Sequence, residues 1–488
     1  MEAGNMNPIS KTVISGLAAD YTHYDGLGLA ELIASGQISP LELLHAVRRR
    51  VNALNPKLNV FCQLFYEKAE AQIRAGLAPG PFHGVPFALK DLGLYLSGTV
   101  TSGGSRIWSS DVATFDSTLS ERYRQAGLVI FGKTNSPELG LTVTTESALY
   151  GQTHNPWNAE RIAGGSSGGA AAVVASRILP MAHASDGGGS IRVPASCCGV
   201  FGFKPTRSRV PLGPSSFEGW NGCTHQHAIT ISVRDSAALL DATGGAELGS
   251  PFFSPRPERP FLAEVTAEPG RLRIALFASA PAPVPVDPEC ASALAAAAKL
   301  CESLGHHVEE ASWPAEVESF REAFTTVVQV SVARKVQDGA VVLGRPPQQS
   351  DVELMTWAMM QAGMNIPAVR YSRAIQDLHG TGLAFARFLE RYDLILCPTL
   401  AKPPIQLGVL ALSREPEAWF KDFLEFCPFT AIANATGQPS MSVPLHWTQD
   451  GLPVGTMFTG RFGEDATLFR LAGQLERALA WAKRRPEV

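Results

Sequence analysis

The amino-acid sequence predicts an α/β fold, and three observations carry the prediction. Ser117 to Ala126 has helical spacing and runs straight into the apolar stretch Leu128-Val129-Ile130-Phe131, a helix-then-strand rhythm. Short apolar runs of strand length, Val85-Pro86-Phe87-Ala88-Leu89 and Leu394-Ile395-Leu396-Cys397, recur between segments of helical period. Finally, 488 residues at 45% hydrophobic and 18% charged can bury a sizeable core. That length allows three domains, although large α/β enzymes often spend it on one sheet.

In chain order, Leu29 to Leu54 carries apolar residues at helical spacing in two blocks. Ser39, Pro40 and Glu42 between them form a capping box, so a second helix starts there, and it is expected to stop before Pro56. Pro81 to Leu89 then becomes a short buried strand that delivers Lys90 at its end. A lysine at a strand end is ordinarily a solvated charge. If its apolar neighbours desolvate it, its pKa falls and it becomes a usable base near neutrality. Gly127 to Thr134 matches the phosphate-loop pattern G-x-x-x-x-G-K-T letter for letter. The pattern requires a loop followed by a helix, whereas here four bulky apolar residues form a strand and Thr134-Asn135-Ser136-Pro137 follows; nucleotide binding is set aside.

The chain is organised around Arg161 to Gly199. Two serine-bearing glycine loops, Gly164 to Gly169 and Asp186 to Ser190, flank an Ala/Val run from Ala170 to Ile178 that reads as a buried helix. Without Cβ atoms, successive N–H groups of Gly188, Gly189 and Ser190 can converge on one spot and stabilise developing negative charge, with the serine beside them as nucleophile. A single Gly-Gly-Ser is an ordinary flexible turn; two around one small-residue helix suggest a site. Gly164 to Gly168 also fits the G-x-S-x-G elbow, but the preceding Asn155 to Arg161 is polar and proline-broken, where the elbow needs an apolar strand. His225, His227 and His379 lie in segments with no supporting signature and receive no role.

Downstream, proline-rich Ser250 to Pro260 and Ala278 to Pro288 read as loops around a strand at Leu272 to Phe277. A helix over Ala291 to Leu304, a strand over Val308 to Ala311, a strand over Tyr392 to Pro398 and a closing amphipathic helix over Asp465 to Trp481 follow. Between Ala315 and Phe429 stand Phe320, Phe324, Met355, Trp357, Met359, Met360, Met364, Trp419, Phe423 and Phe426. Any one of them is explained by a core stripe; as a group they suggest an acyl-binding wall.

Composition excludes several classes. A formal net charge of -4 gives no reason to expect nucleic acid or an anionic membrane as partner. Eight cysteines without a C-x-x-C or Cys/His spacing argue against a zinc site and fit reduced thiols in a cytoplasm. Met1 to Tyr24 lacks the basic head and apolar run of a signal peptide, and the longest apolar stretches, broken by Arg177 and Pro180, are too short to span a bilayer.

From about Asp25 to the last helix the chain resembles the amidase signature family. The motifs are Gly84-Val85-Pro86-Phe87-Ala88-Leu89-Lys90-Asp91, Gly164 to Gly169, Gly188-Gly189-Ser190-Ile191-Arg192 and Val200 to Thr206. The resemblance implies a single domain over 25–488 after an N-terminal extension over 1–24. Its core is a mixed, mostly parallel sheet covered by helices on both faces, with a catalytic core at about 80–235 and a variable substrate-pocket region at about 315–430. It implies a triad of Lys90, Ser166 with a cis peptide bond, and the nucleophile Ser190. Gly187, Gly188, Gly189 and Gly140 are the implied oxyanion and substrate-binding positions. It also implies that Asp186 and Arg192 pair to hold the nucleophile loop, that Lys204 is structural, and that no metal or cofactor takes part. Many members read Gly-Thr-Asp-Thr where Ala184-Ser185-Asp186-Gly187 stands here.

The implied activity is hydrolysis of small-molecule substrates, linear or cyclic amides with an apolar acyl part, whether nylon-oligomer-like, acylamide or carbamate, with a homodimer left open. Within the family the 132–138 turn, Asn155-Pro156-Trp157 and the tail from Trp481 to Pro486 look most similar to the nylon-oligomer amidases that open 6-aminohexanoate cyclic dimers. One alternative is the glutaminase subunit of a tRNA-dependent amidotransferase. Many of those read Ile-Arg-Gln-Pro after the nucleophile, and Ile191-Arg192-Val193-Pro194 favours a free-standing hydrolase. A non-catalytic binding protein is the other, weakened because all three triad positions are filled.

Overall fold

A computed structural model describes residues 21–314 and 317–488. Residues 1–20 of the expected extension, and the first two of the expected pocket region, lie outside the described residues. Tyr21 is already part of the body, its hydroxyl donating to the Ile178 carbonyl at 3.1 Å.

Helix α1 (Gly26–Ala34) is capped by the Asp25 carboxylate. Helix α2 (Pro40–Leu58) starts at the predicted capping box but runs through Pro56 instead of stopping before it. So close to the C-terminus the proline forfeits little, and the end is secured otherwise: Asn59 is left-handed, and the Asn55 side chain accepts the N–H groups of Val60 and Phe61, both at 2.9 Å. Strands β1 (Phe61–Leu64), β2 (Pro86–Lys90) and β3 (Val129–Thr134) form a three-stranded sheet in the order β1-β3-β2, with helix α3 (Thr118–Gln125) leading into β3. The phosphate-loop letters therefore lie largely in a fully buried strand.

Next come α4 (Gly168–Ala175), β4 (Met181–Asp186), α5 (Arg192–Cys198), β5 (Phe201–Lys204), β6 (His225–Thr230), β7 (Arg273–Leu276), α6 (Pro288–Ser303) and β8 (His307–Glu310). The long α7 (Val317–Leu343) packs on α8 (Leu354–Met364) and α9 (Ala368–Phe388). The chain finishes with β9 (Leu394–Pro398), α10 (Pro416–Phe426), α11 (Ala431–Ala435), β10 (Ser440–Trp447), β11 (Pro453–Gly460) and α12 (Asp465–Ala478).

The main sheet has eight strands in the order β8-β7-β9-β11-β10-β5-β6-β4. It is mixed, but not mostly parallel: only β8, β7 and β9 run parallel, and every other neighbour pair is antiparallel. The cause is local. β10 and β11 are joined by a tight turn closed by the Thr448 N–H to Leu452 carbonyl bond at 2.8 Å, a connection only antiparallel strands permit. Helices do cover both faces. In β11, Val454 packs on Cys290 and Ala293 of α6, while the next residue, Gly455, turns its missing side chain toward Ser196 of α5.

The two sheets meet where β2 lies beside β4. No ladder joins them there; instead the Lys90 N–H donates to Nδ1 of His183 at 3.0 Å. Among the described residues no helix is long and apolar enough to cross a membrane.

Candidate active site

Lys90 ends a strand whose five residues are all buried, and it is itself fully buried. Its Nζ lies 2.7 Å from Ser166 Oγ and 3.0 Å from Ser185 Oγ, with no carboxylate bonded to it. Burial pulls its pKa down from 10.5 to about 7, and the charge of Asp186 opposes the fall only partly. The amine is therefore poised between its two protonation states at neutral pH. Ser185, assigned no role from sequence, puts a second hydroxyl beside the lysine.

His183 was also invisible as a functional residue. Its Nδ1 accepts from the Lys90 backbone, so Nε2 carries the proton and donates to Gln226 Oε1 at 2.8 Å. Burial drives its pKa down to about 3, keeping the ring neutral.

Ser166 follows a cis peptide bond from Gly165, the one non-proline cis bond among the described residues. Gly140 closes one side of it: a Cβ there would stand 3.0 Å from Ser166 Oγ. Behind it, Ser167 Oγ donates to the Ser185 carbonyl at 3.2 Å, tying the first glycine loop to the second. Ser190 is 8% exposed against 2% for Ser166 and 0% for Lys90, so of the three it is the one nearest solvent.

The Asp186–Ser190 loop is held by a buried ion pair. Arg192 grips Asp186 through Nε and Nη2 at 3.0 and 2.9 Å, and neither side chain is exposed. Asp186 also accepts the N–H groups of Gly189 at 2.7 Å and Ile191 at 3.0 Å, and Asn434 Nδ2 at 2.8 Å. Burial alone would raise the Asp186 carboxyl; Arg192 and Asn434 outweigh it and hold the pKa well below the carboxylate range. This corrects one expectation, because the Gly189 N–H is taken by Asp186 and is not free to meet an oxyanion. Among the described residues no protein acceptor takes the N–H of Gly187, Gly188 or Ser190. Arg192→Leu would strand a carboxylate in the core, and we expect urea unfolding to show a loss of about 3–5 kcal/mol.

The expected acyl wall is mostly core. Met355, Met359, Met360, Trp419 and Phe426 are buried together in one cluster, while Met364 is 59% exposed. Phe324 is the exception, 3.6 Å from the place a Gly188 Cβ would take. A buried stripe and a pocket wall have the same composition, so sequence alone cannot separate them. It also gave no sign of Trp220, whose ring lies over Gly187. The other decoys resolve structurally. His225 and His227 bond Cys223 and Ser236, and Asn158–Ile162, ahead of Ser166, forms a largely exposed strand of a two-stranded ribbon.

The Amidase family model matches residues 42–469. The chain belongs to the amidase family. It is 37% identical to a 6-aminohexanoate-cyclic-dimer hydrolase of Paenarthrobacter ureafaciens, with 95% of this chain and 96% of that protein covered. The solved structure of a 6-aminohexanoate cyclic dimer hydrolase superposes with a TM-score of 0.90 at 36% identity, covering 96% of this chain and 99% of that one. A bacterial aryl acylamidase of the amidase signature family gives 0.83 at 27% identity, over 94% and 97% of the two chains. The protein is accordingly an amidase, a hydrolase of the amidase signature fold.

Proposed function

We propose that this amidase cleaves small uncharged amides through an acyl-enzyme on Ser190. The observation that carries the reading is the 2.7 Å contact between Ser166 Oγ and a buried lysine whose pKa is about 7. In the proposed sequence, neutral Lys90 takes the Ser166 proton while Ser166 takes that of Ser190. Ser190 Oγ then adds to the amide carbonyl, and N–H groups of Gly187, Gly188 and Ser190 meet the oxyanion. The proton returns through Ser166 to the departing amine as the C–N bond breaks. Water then attacks the ester by the same proton route and releases the acid. No metal or organic cofactor enters any step. All three residues come from the proposed catalytic core at about 80–235.

Likeness to cyclic-dimer hydrolases favours linear or cyclic amides with an aliphatic acyl part over carbamates or aryl acylamides, and Phe324 beside the loop offers apolar surface to such a group. The eight free thiols fit a reducing cytoplasm. The test is amine release by the purified chain from a panel of 6-aminohexanoate cyclic dimer, linear aliphatic amides, an anilide, a carbamate and glutamine. We expect turnover of the aliphatic or cyclic amides. Turnover of glutamine alone would move the assignment to an amidotransferase subunit.

A further inference from the structure

We propose, resting on the amidase reading above, that Trp220 sets the length of acyl chain the site accepts. Trp220 has φ +53°, and Asn221 and Gly222 follow at +54° and +77°, three successive left-handed residues. That region is rarely occupied by a bulky side chain, and it persists only where surrounding bonds over-determine it.

Those bonds are present. The Glu218 carboxylate accepts the Gly222 N–H at 2.8 Å, and Arg207 Nε donates to the Gly222 carbonyl at 2.8 Å. The same Arg207 reaches the Asn434 carbonyl at 3.2 Å and that of Ala435. Asn434 in turn holds Asp186. One short helix, α11, thus anchors both the Trp220 turn and the nucleophile loop.

The clamp brings the indole over that loop. A Cβ on Gly187 would stand 2.8 Å from Trp220 Cζ3, and the ring meets Phe324 edge-on with centroids 6.2 Å apart. Phe324 and Ala431 stand over Gly188, 3.6 and 4.0 Å from its Cβ position. Gly187 itself is outside the left-handed region, so its backbone does not require glycine; the indole does. The missing side chain of Gly187 is therefore the counterpart of Trp220. Together they put an aromatic ceiling beside the amides proposed to hold the carbonyl oxygen. A half-buried apolar surface there meets whatever is attached to the carbonyl carbon.

The experiment compares kcat/KM for primary amides from acetamide to octanamide, where ammonia is always the leaving group, in the parent chain, Trp220→Ala and Trp220→Phe. A matching N-alkylacetamide series varies the amine instead. Binding of the primary amides by calorimetry is measured in parallel in Ser190→Ala, with and without Trp220→Ala. We expect the octanamide-to-acetamide ratio to rise by about tenfold or more in Trp220→Ala, through KM, with Trp220→Phe between. The same shift should appear in the binding series. An equal factor across all chain lengths, or a shift confined to the N-alkyl series, overturns the proposal while leaving the amidase reading intact. Length-dependent binding that responds to Trp220 without turnover in any variant would keep the ceiling and remove the proposed acyl-enzyme chemistry on small amides. Binding that ignores Trp220 removes the ceiling whatever the turnover.

Discussion

Ser190→Ala is expected to lower kcat on every substrate of the panel by roughly a million-fold, the scale seen when the nucleophile of an acyl-transfer triad is removed. Nothing nearby can replace the hydroxyl. Ser166 and Ser185 are both committed to Lys90 Nζ and almost fully buried, and the cysteines are inert: burial holds the Cys197 thiol well above its usual pKa. The loop should keep its shape, because Asp186 accepts its backbone N–H groups and Arg192 holds that carboxylate, neither of them through the Ser190 hydroxyl. Single-turnover assays alongside thermal melts check this. A variant that folds normally and retains more than a trace of parent activity would falsify the nucleophile assignment.

Removing the amine should come next in size. Lys90→Met keeps the length and apolar packing of the side chain but deletes the base, and we expect kcat/KM to fall by about 10³- to 10⁴-fold. The pH profile gives a sharper readout. Lys90 is shifted from 10.5 down to about 7, so it is charged below that pH and a neutral base above it. Activity in the parent should therefore rise with pH through about 7, by about tenfold per unit on the acid side, and level off above. His183, at about 3, does not titrate in that window. Glu353, pushed up to about 7 by burial, does, but it is bonded to the Ala148 N–H and remains in Lys90→Met. If the acid limb survives in Lys90→Met, it belongs to Glu353 or another group and the lysine is not the base.

The proposed catalytic motif was legible because such chemistry dictates residue types at close spacing. The glycines, the two serines and the lysine after an apolar run are all short-range signals. The buried helix Gly168–Ala175 and the capping box at Ser39 were legible for the same reason. His183, Ser185 and Trp220 were not, since their roles depend on partners brought in from other elements: Lys90 lies 93 residues from His183. The strand directions also escaped, because a helix-then-strand rhythm says nothing about which strands pair. The Met and Trp residues of 354–426 looked like a wall and are mainly packing, as burial alone cannot tell which face of a helix meets a ligand.

The proposed base and the Ser185 hydroxyl beside it belong to different halves of the architecture. Lys90 rides on the small sheet and Ser185 on the edge strand of the large one, and a neutral imidazole, not a ladder, is the rivet between them. A ladder tolerates slippage by whole residues; a rivet fixes one distance. A shear of about 1 Å between two such plates is enough to cost on the order of a hundredfold in rate when it separates reacting groups. Alignment of the proton path is thus a property of how two sheets are docked, and substitutions far from the pocket that shift this docking, such as at the Tyr123 ring against His183, belong to the same mechanical chain as the catalytic residues.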